Sequence, residues 1–351
     1  MADLRNGFTT GACAAAAAKA AAMVLCGASP PRHVEISLPD GSREAFPVLD
    51  VRISEEACEA TVRKDAGDDP DITDGVSVVV RVRFAADESI RFEAGEGVGV
   101  VTKPGLSVAP GEPAINPGPR KMISAALSEV TNRGVHVRIS IPGGNEMALR
   151  TFNPRLGVEG GLSILGTTGR VRPFSAAALL DSLKCSLSVA AACGVTSPVL
   201  VPGHIGERSA RRNFRLTPEQ VIPVSNKWGA MLDETARYPF LRLLVLGHPG
   251  KLAKLTVGEW DTHSGISQSA VPIVEKLAAR LFKKPVLTSV TVEGVFQALP
   301  DDRRLALANE LSEDIRKCIA QRLGGRVESA VAIINMKGDI LGTSGDLRPW
   351  R

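Results

Sequence analysis

Five carboxylates crowd the segment Lys64-Asp65-Ala66-Gly67-Asp68-Asp69-Pro70-Asp71-Ile72-Thr73-Asp74. Carboxylates at this density can hold a divalent cation or take a proton from a substrate. Their order lacks the ligand spacing of an EF-hand, and a solvated acidic turn is the plainer reading of such a run. A second segment, Glu93-Ala94-Gly95-Glu96-Gly97-Val98-Gly99, sets three alternating glycines after a strand-like run. Nucleotide-binding loops of that pattern open a helix. Here Val100-Val101-Thr102-Lys103-Pro104 follows, and β-branched residues and proline oppose a helix start. The segment therefore reads as a glycine-rich strand end or bulge, and a Rossmann fold is not supported.

A third segment, Asn153 to Gly169, has few charges and five glycines: Gly157, Gly160, Gly161, Gly166 and Gly169. Its backbone N–H groups, with the hydroxyls of Ser163, Thr167 and Thr168, suit an anion or a nucleoside. Loops of this length in compact domains are commonly functional. The fourth feature is a repeated turn, Pro202-Gly203-His204-Ile205-Gly206 and Leu246-Gly247-His248-Pro249-Gly250. Each follows a strand-like run and opens a helix. In a parallel α/β sheet this would bring His204 and His248 to one rim, at the carboxyl ends of the strands. The second turn is not a P-loop, because Leu252 stands where a Ser or Thr is required.

The elements that must position these residues follow from patterning. The Ala-rich run from Ala12 is broken by Lys19, which favours a packed helix, Gly11–Cys26, over a signal peptide. Thr9 or Thr10 caps it and Gly27 ends it. Strands are expected over 33–38, 46–53, 60–64, 76–84, 90–94 and 135–141. In Val76–Phe84, valines alternate with Arg81 and Arg83, as in a sheet with one wet face. Helices are expected over 119–132 and 175–193. After residue 195 four short apolar runs, 199–201, 221–224, 241–246 and 327–335, are separated by helical stretches, the mark of a parallel sheet. The chain thus divides into an α+β domain, 1–193, and an α/β domain, 194–351.

Composition bounds the partners. With 351 residues, 44% hydrophobic, 23% charged and a net charge of +4, the chain reads as a globular protein suited to an anionic small molecule. The basic residues form no run with interleaved aromatics, which argues against nucleic acid. Six cysteines show no C-x-x-C pair and no zinc spacing with the five histidines, so they read as reduced thiols, and no metal site is expected. No apolar run reaches the roughly 18 residues of a membrane span. A cytoplasmic protein, open to homo-oligomerisation, is the expectation.

Together these segments resemble the CbiD family of cobalt-precorrin-5B C(1)-methyltransferases. The resemblance is carried by Arg5–Lys19 (RNGFTTGACAAAAAK), Lys64–Gly75 (KDAGDDPDITDG), Gly95–Arg120 (GEGVGVVTKPGLSVAPGEPAINPGPR), Thr151–Val171 and Gly247–Lys254 (GHPGKLAK). It implies methyl transfer from S-adenosylmethionine to C1 of a cobalt-precorrin, with cobalt arriving only as part of the substrate. It also implies an S5-domain-2-like α+β domain followed by an α/β domain with a four-stranded parallel sheet. One departure stands out: Asp74 occupies the position of the His in the family pattern D-D-P-D-x-T-H-G.

The implied chemistry assigns roles. Removal of a ring proton falls to Asp74, Asp71 or His263, the last in the family-like segment Asp261-Thr262-His263-Ser264. The donor is expected at Gly95, Gly97, Gly99, Gly161, Gly166, Thr167, Thr168 and Gly169. The substrate is expected at Thr10, Lys103, Asn116, Arg120, Asn153, Arg155, His204 and His248, with Arg120 and Arg155 as forks for ring carboxylates. Two other classes fit parts of the pattern. A small-molecule kinase on an S5-like fold would use the Gly161–Gly169 loop for ATP phosphate, and a carrier would bind the tetrapyrrole without turnover.

Overall fold

The computed structural model describes residues 4–283 and 289–351. It divides into two compact units, Met1–Ala176 and Ala177–Arg351. The division falls at the start of the helix Ala176–Ala192 rather than at 193/194, so that helix belongs to the second unit.

The first unit is built on the Ala-rich helix, Thr10–Leu25, whose alanines are almost all inaccessible to solvent. Thr9 caps it, its Oγ1 accepting from Ala12 N at 3.2 Å. Small side chains let this helix lie close to its neighbours, the helix Pro117–Ser128 and the strands Ala57–Arg63 and Ser77–Phe84. Lys19 breaks the run at no cost in buried charge, because its ammonium donates to Glu35 O and pairs with Glu129. The helix supports a five-stranded sheet in the order Asp50–Ile53, Ala57–Arg63, Ser77–Phe84, Val135–Ser140, Ile90–Ala94. All neighbours are antiparallel except the last pair, which is parallel. Val78, Val80 and Val82 are buried while Arg81 and Arg83 are exposed, as the alternation requires.

Two boundaries differ from the sequence reading. The expected strand 46–53 is two strands in different sheets: Arg43–Pro47 pairs with His33–Ser37, and Asp50–Ile53 pairs with Ala57–Arg63. Pro47 lacks the N–H needed to continue a ladder, and the chain changes partner there. The helix expected over 119–132 runs instead from Pro117 to Ser128, since a first turn tolerates both Pro117 and Pro119.

The second unit holds a five-stranded sheet in the order Val221–Pro223, Val199–Val201, Arg242–Gly247, Glu328–Ile334, Ile340–Ser344. The first four are parallel, and they are the four apolar runs of the sequence. The fifth is antiparallel, so the sheet is larger than the four strands expected. The chain leaves Val199–Val201 through the helix His204–Asn213 toward one edge, then leaves Arg242–Gly247 toward the other. Its direction therefore reverses between these two neighbouring strands. No helix among the described residues is long and apolar enough to cross a membrane.

Candidate functional site

In open parallel sheets ligands bind outside the carboxyl ends of the strands, where the connection reverses. The two G-H-x-G turns sit at that place. His204 opens the helix after Val199–Val201 and is exposed. His248 follows Arg242–Gly247 and is half-buried. The turns touch, since a Cβ on Gly247 would press on the Pro202 ring. His248 Nδ1 accepts from Gly250 N at 3.0 Å, which leaves the neutral ring's proton on Nε2. Nε2 lies 2.9 Å from Glu293 Oε2 and donates to it.

Beside His248 lies a cavity of about 440 Å³, with Lys254, Ser269, Val271, Thr291, Glu293 and Met336 among its walls. Lys254 is only 6% exposed. Its ammonium donates to Ser267 Oγ at 2.7 Å, and Ser267 donates to His263 O. Burial, with help from the charge on Lys254, lowers the pKa of nearby Lys251. His263 itself is exposed, and its Nδ1 accepts from Gly265 N at 3.1 Å. Its segment is pinned by the ion pair of Asp261 with Lys227 at 2.6 Å.

The acidic turn belongs to the first unit, and its carboxylates are largely committed. Asp71 Oδ2 pairs with the buried Lys64 at 2.7 Å, and its Oδ1 accepts from both N and Oγ1 of Thr73. Burial pushes the Asp71 carboxyl up, but the bonds from Lys64 and Thr73 outweigh it and hold the group below its ordinary value. Asp65 forms a fork with Arg5, Asp68 accepts from Arg5 N, and Asp69 accepts from Phe174 N. The turn thus clasps the segment 5–8 and the backbone at Phe174. Asp74 is exposed. Its Oδ1 accepts from Ala66 N at 2.8 Å, and its Oδ2 accepts no hydrogen bond among the described residues.

The two glycine loops are brought together, but against each other. Leu162 N donates to Gly97 O, Gly99 N donates to Leu162 O, and Val98 bridges Leu162 in parallel. A Cβ on Gly97 would overlap the Ile141 carbonyl, and one on Gly161 would overlap Gly97. The space beside Gly95, Gly99, Gly166 and Gly169 is likewise filled, by Ser140, Val158, Thr9 and Leu38. The closest approaches in these loops are protein to protein.

The polar groups expected to meet substrate are divided. Arg120 donates to Ile115 O at 2.9 Å and pairs with Glu112 at 3.1 Å, so its fork clamps its own loop. Asn153 donates to Gly161 O and accepts from Ser163 Oγ. Thr10 Oγ1 accepts from Leu165 N. By contrast Asn116, at the start of the helix Pro117–Ser128, makes no side-chain capping bond, and Thr167 is exposed. Lys103 packs its stem on Gly157, and Arg155 lies in the short helix Asn153–Leu156. Among the described residues no group of three or more His, Cys, Asp or Glu is placed to hold a metal ion.

Comparison with known proteins places the chain. The family model CbiD matches residues 1–173, and the model "CbiD, C-terminal domain" matches residues 261–345. A protein of Syntrophotalea carbinolica named cobalt-precorrin-5B C(1)-methyltransferase is 55% identical over 351 residues, all of both chains. The chain belongs to the CbiD family. Proteins of the same name from Moorella thermoacetica and Methanocaldococcus jannaschii are 41% and 39% identical, over 97% and 96% of this chain and 94% and 95% of theirs. A crystal structure described as cobalamin biosynthesis protein (cbiD) from Archaeoglobus fulgidus is 28% identical, covers 74% of this chain and 82% of that one, and has a TM-score of 0.38.

Within this CbiD chain, two groups of the second unit escaped the sequence reading. Lys254 lies inside the quoted GHPGKLAK segment, where a lysine within the apolar run Leu252–Leu255 is the visible sign of a buried charge. Glu293 has no local signal, because its partner His248 is 45 residues away.

Proposed function

We propose that the chain transfers a methyl group from S-adenosylmethionine to ring carbon C1 of cobalt-precorrin-5B, giving cobalt-precorrin-6A in anaerobic cobalamin synthesis. The observation that carries this reading is the 55% identity, over the full length of both chains, to a protein named for that reaction. The donor's sulfonium supplies an electrophilic methyl group. The chain's own task is to hold the ring carbon in line with it and to take a ring proton. Asp71 is tied to Lys64 and Thr73, so the proposed bases are Asp74 and His263. Asp74 Oδ2 accepts no hydrogen bond, and His263 Nε2 makes none, among the described residues. Asn116 is proposed to meet the substrate.

An S5-domain-2-like layout of the first unit is part of the same proposal. It is supported by the parallel pair Ile90–Ala94 and Val135–Ser140, joined through the helix Pro117–Ser128. The test is incubation of the purified chain with cobalt-precorrin-5B and donor labelled in its methyl group. Label on C1 of a product one methyl group heavier is expected. Transfer of phosphate from ATP, or binding of the ring with no methyl transfer, would replace this reading.

A further inference from the structure

The cavity beside His248 has walls that differ from an ordinary apolar cleft. A lysine ammonium has three protons to donate. Lys254 is buried, and among the described residues its ammonium has one hydrogen bond, to a serine hydroxyl, and no carboxylate in ion-pair range. A buried cation without an anion is costly, and an incoming carboxylate would remove that cost. Glu293, which also lines the cavity, carries the opposite charge. His248 donates to its Oε2 and Gln297 to its Oε1, which leaves lone pairs for another donor. Val271, Val292 and Met336 supply apolar surface to the same lining.

We propose that this cavity takes the amino-acid end of the methyl donor, Lys254 receiving its carboxylate and Glu293 its ammonium; the inference rests on the methyltransferase reading above. Three features favour this occupant. A zwitterion satisfies both charged walls at once, whereas an inorganic anion would be repelled by Glu293. The volume lies low in the range of about 300–1,000 Å³ for small-molecule pockets, which suits a nucleoside amino acid better than a tetrapyrrole. The cavity also adjoins the strand ends where the sheet's connections reverse, the place where parallel sheets receive ligands. The substrate's peripheral carboxylates offer the same chemistry to Lys254, and the test separates the two sources.

S-adenosylhomocysteine and 5′-methylthioadenosine share a nucleoside and a sulfur, but only the first has the amino-acid end. Calorimetric titration of the full chain is expected to show S-adenosylhomocysteine binding about 10- to 100-fold more tightly, the range for charge-assisted hydrogen bonds. Lys254→Met keeps the side-chain length and removes the charge. It is expected to abolish that preference while leaving methylthioadenosine unchanged. Ser269→Trp, at an exposed rim position, is expected to weaken both ligands by closing the mouth, and it carries the test if Lys254→Met fails to fold. A preference that survives Lys254→Met, together with unchanged binding in Ser269→Trp, overturns the inference. Weaker binding of cobalt-precorrin-5B to Lys254→Met, with S-adenosylhomocysteine unaffected, gives the cavity to a substrate carboxylate and also overturns it. Wild-type turnover beside unaffected variants removes only this inference, whereas a wild type that neither binds S-adenosylhomocysteine nor methylates removes the methyltransferase reading itself.

Discussion

Replacing Asp71 by Asn separates a catalytic carboxylate from a structural one. Lys64 has a side chain only 1% exposed, and Asp71 is its ion-pair partner at 2.7 Å. Removing one member of a buried pair costs about 3–5 kcal/mol, because a buried charge is left behind. Asp71 is 23% exposed, so water screens part of that charge, and Asn keeps an oxygen for Thr73. About 2–3 kcal/mol of lost stability in the first unit is the result, roughly 1 M in urea midpoint. All three tryptophans, Trp228, Trp260 and Trp350, lie in the second unit. Tryptophan fluorescence therefore follows that unit alone, while far-UV circular dichroism follows both. The variant is expected to move the dichroism transition and leave the fluorescence transition in place. The pH dependence has a definite sign. The Asp71 carboxyl is held below its ordinary value of about 3.9, so its contribution is full above about pH 4 and fades as pH falls through the folded value. Wild type and variant should differ fully at pH 7 and converge in stronger acid. An unchanged dichroism midpoint at pH 7, or a gap of equal size in acid, would refute the reasoning.

Other substitutions test neighbouring assignments. Asp74→Asn can still accept from Ala66 N, so stability should stay within about 0.5 kcal/mol; turnover should fall by about 10²–10⁴ if Asp74 is the base, and wild-type turnover would leave the turn a clasp and move the search to His263. Arg120→Lys loses the bond to Ile115 O and should lower thermal stability by about 1–2 kcal/mol, weakening donor and substrate binding alike; selective loss of substrate would restore Arg120 as a ring-carboxylate fork. Gly97→Ala places a Cβ on the Ile141 carbonyl and should prevent soluble expression, whereas Gly160→Ala, at φ 78° with open space around it, should cost only about 1 kcal/mol.

The parts of the fold legible in the sequence are those fixed by local pattern. The cap at Thr9, the alternation of Val78, Val80 and Val82 with arginines, and the four apolar runs of the second unit each state their environment within a few residues. The parts that were not legible depend on partners far along the chain. Whether residues 43–53 form one strand or two depends on Pro47 and on which strands, 33–37 or 57–63, lie alongside. The edge strand Ile340–Ser344, with Gly342 at its centre, is defined by pairing with Glu328–Ile334 and not by its own hydropathy.

The candidate site shows the same division more sharply. Glycine-rich loops announce that something approaches the backbone closely, but not what approaches. In the first unit the visitor at Gly97 is Ile141 and the visitor at Gly161 is Gly97 itself, across 64 residues of chain. The density of acids from Asp65 to Asp74 was equally plain, as was Lys64 beside them, while two of their partners, Arg5 and Phe174, were hidden by distance in sequence. Both features drew attention because they are unusual in composition, yet much of what makes them unusual is spent on holding the first unit together. The second unit reverses the case. Lys254 has only its place in the apolar run Leu252–Leu255 to signal its burial, and Glu293 is marked by nothing but its pairing with His248. Chemical potential in a site resides in charges that the protein leaves incompletely satisfied. That balance is settled by tertiary contacts, so motif density ranks the first unit's loops highest while unmet hydrogen-bonding capacity ranks the second unit's cavity beside them.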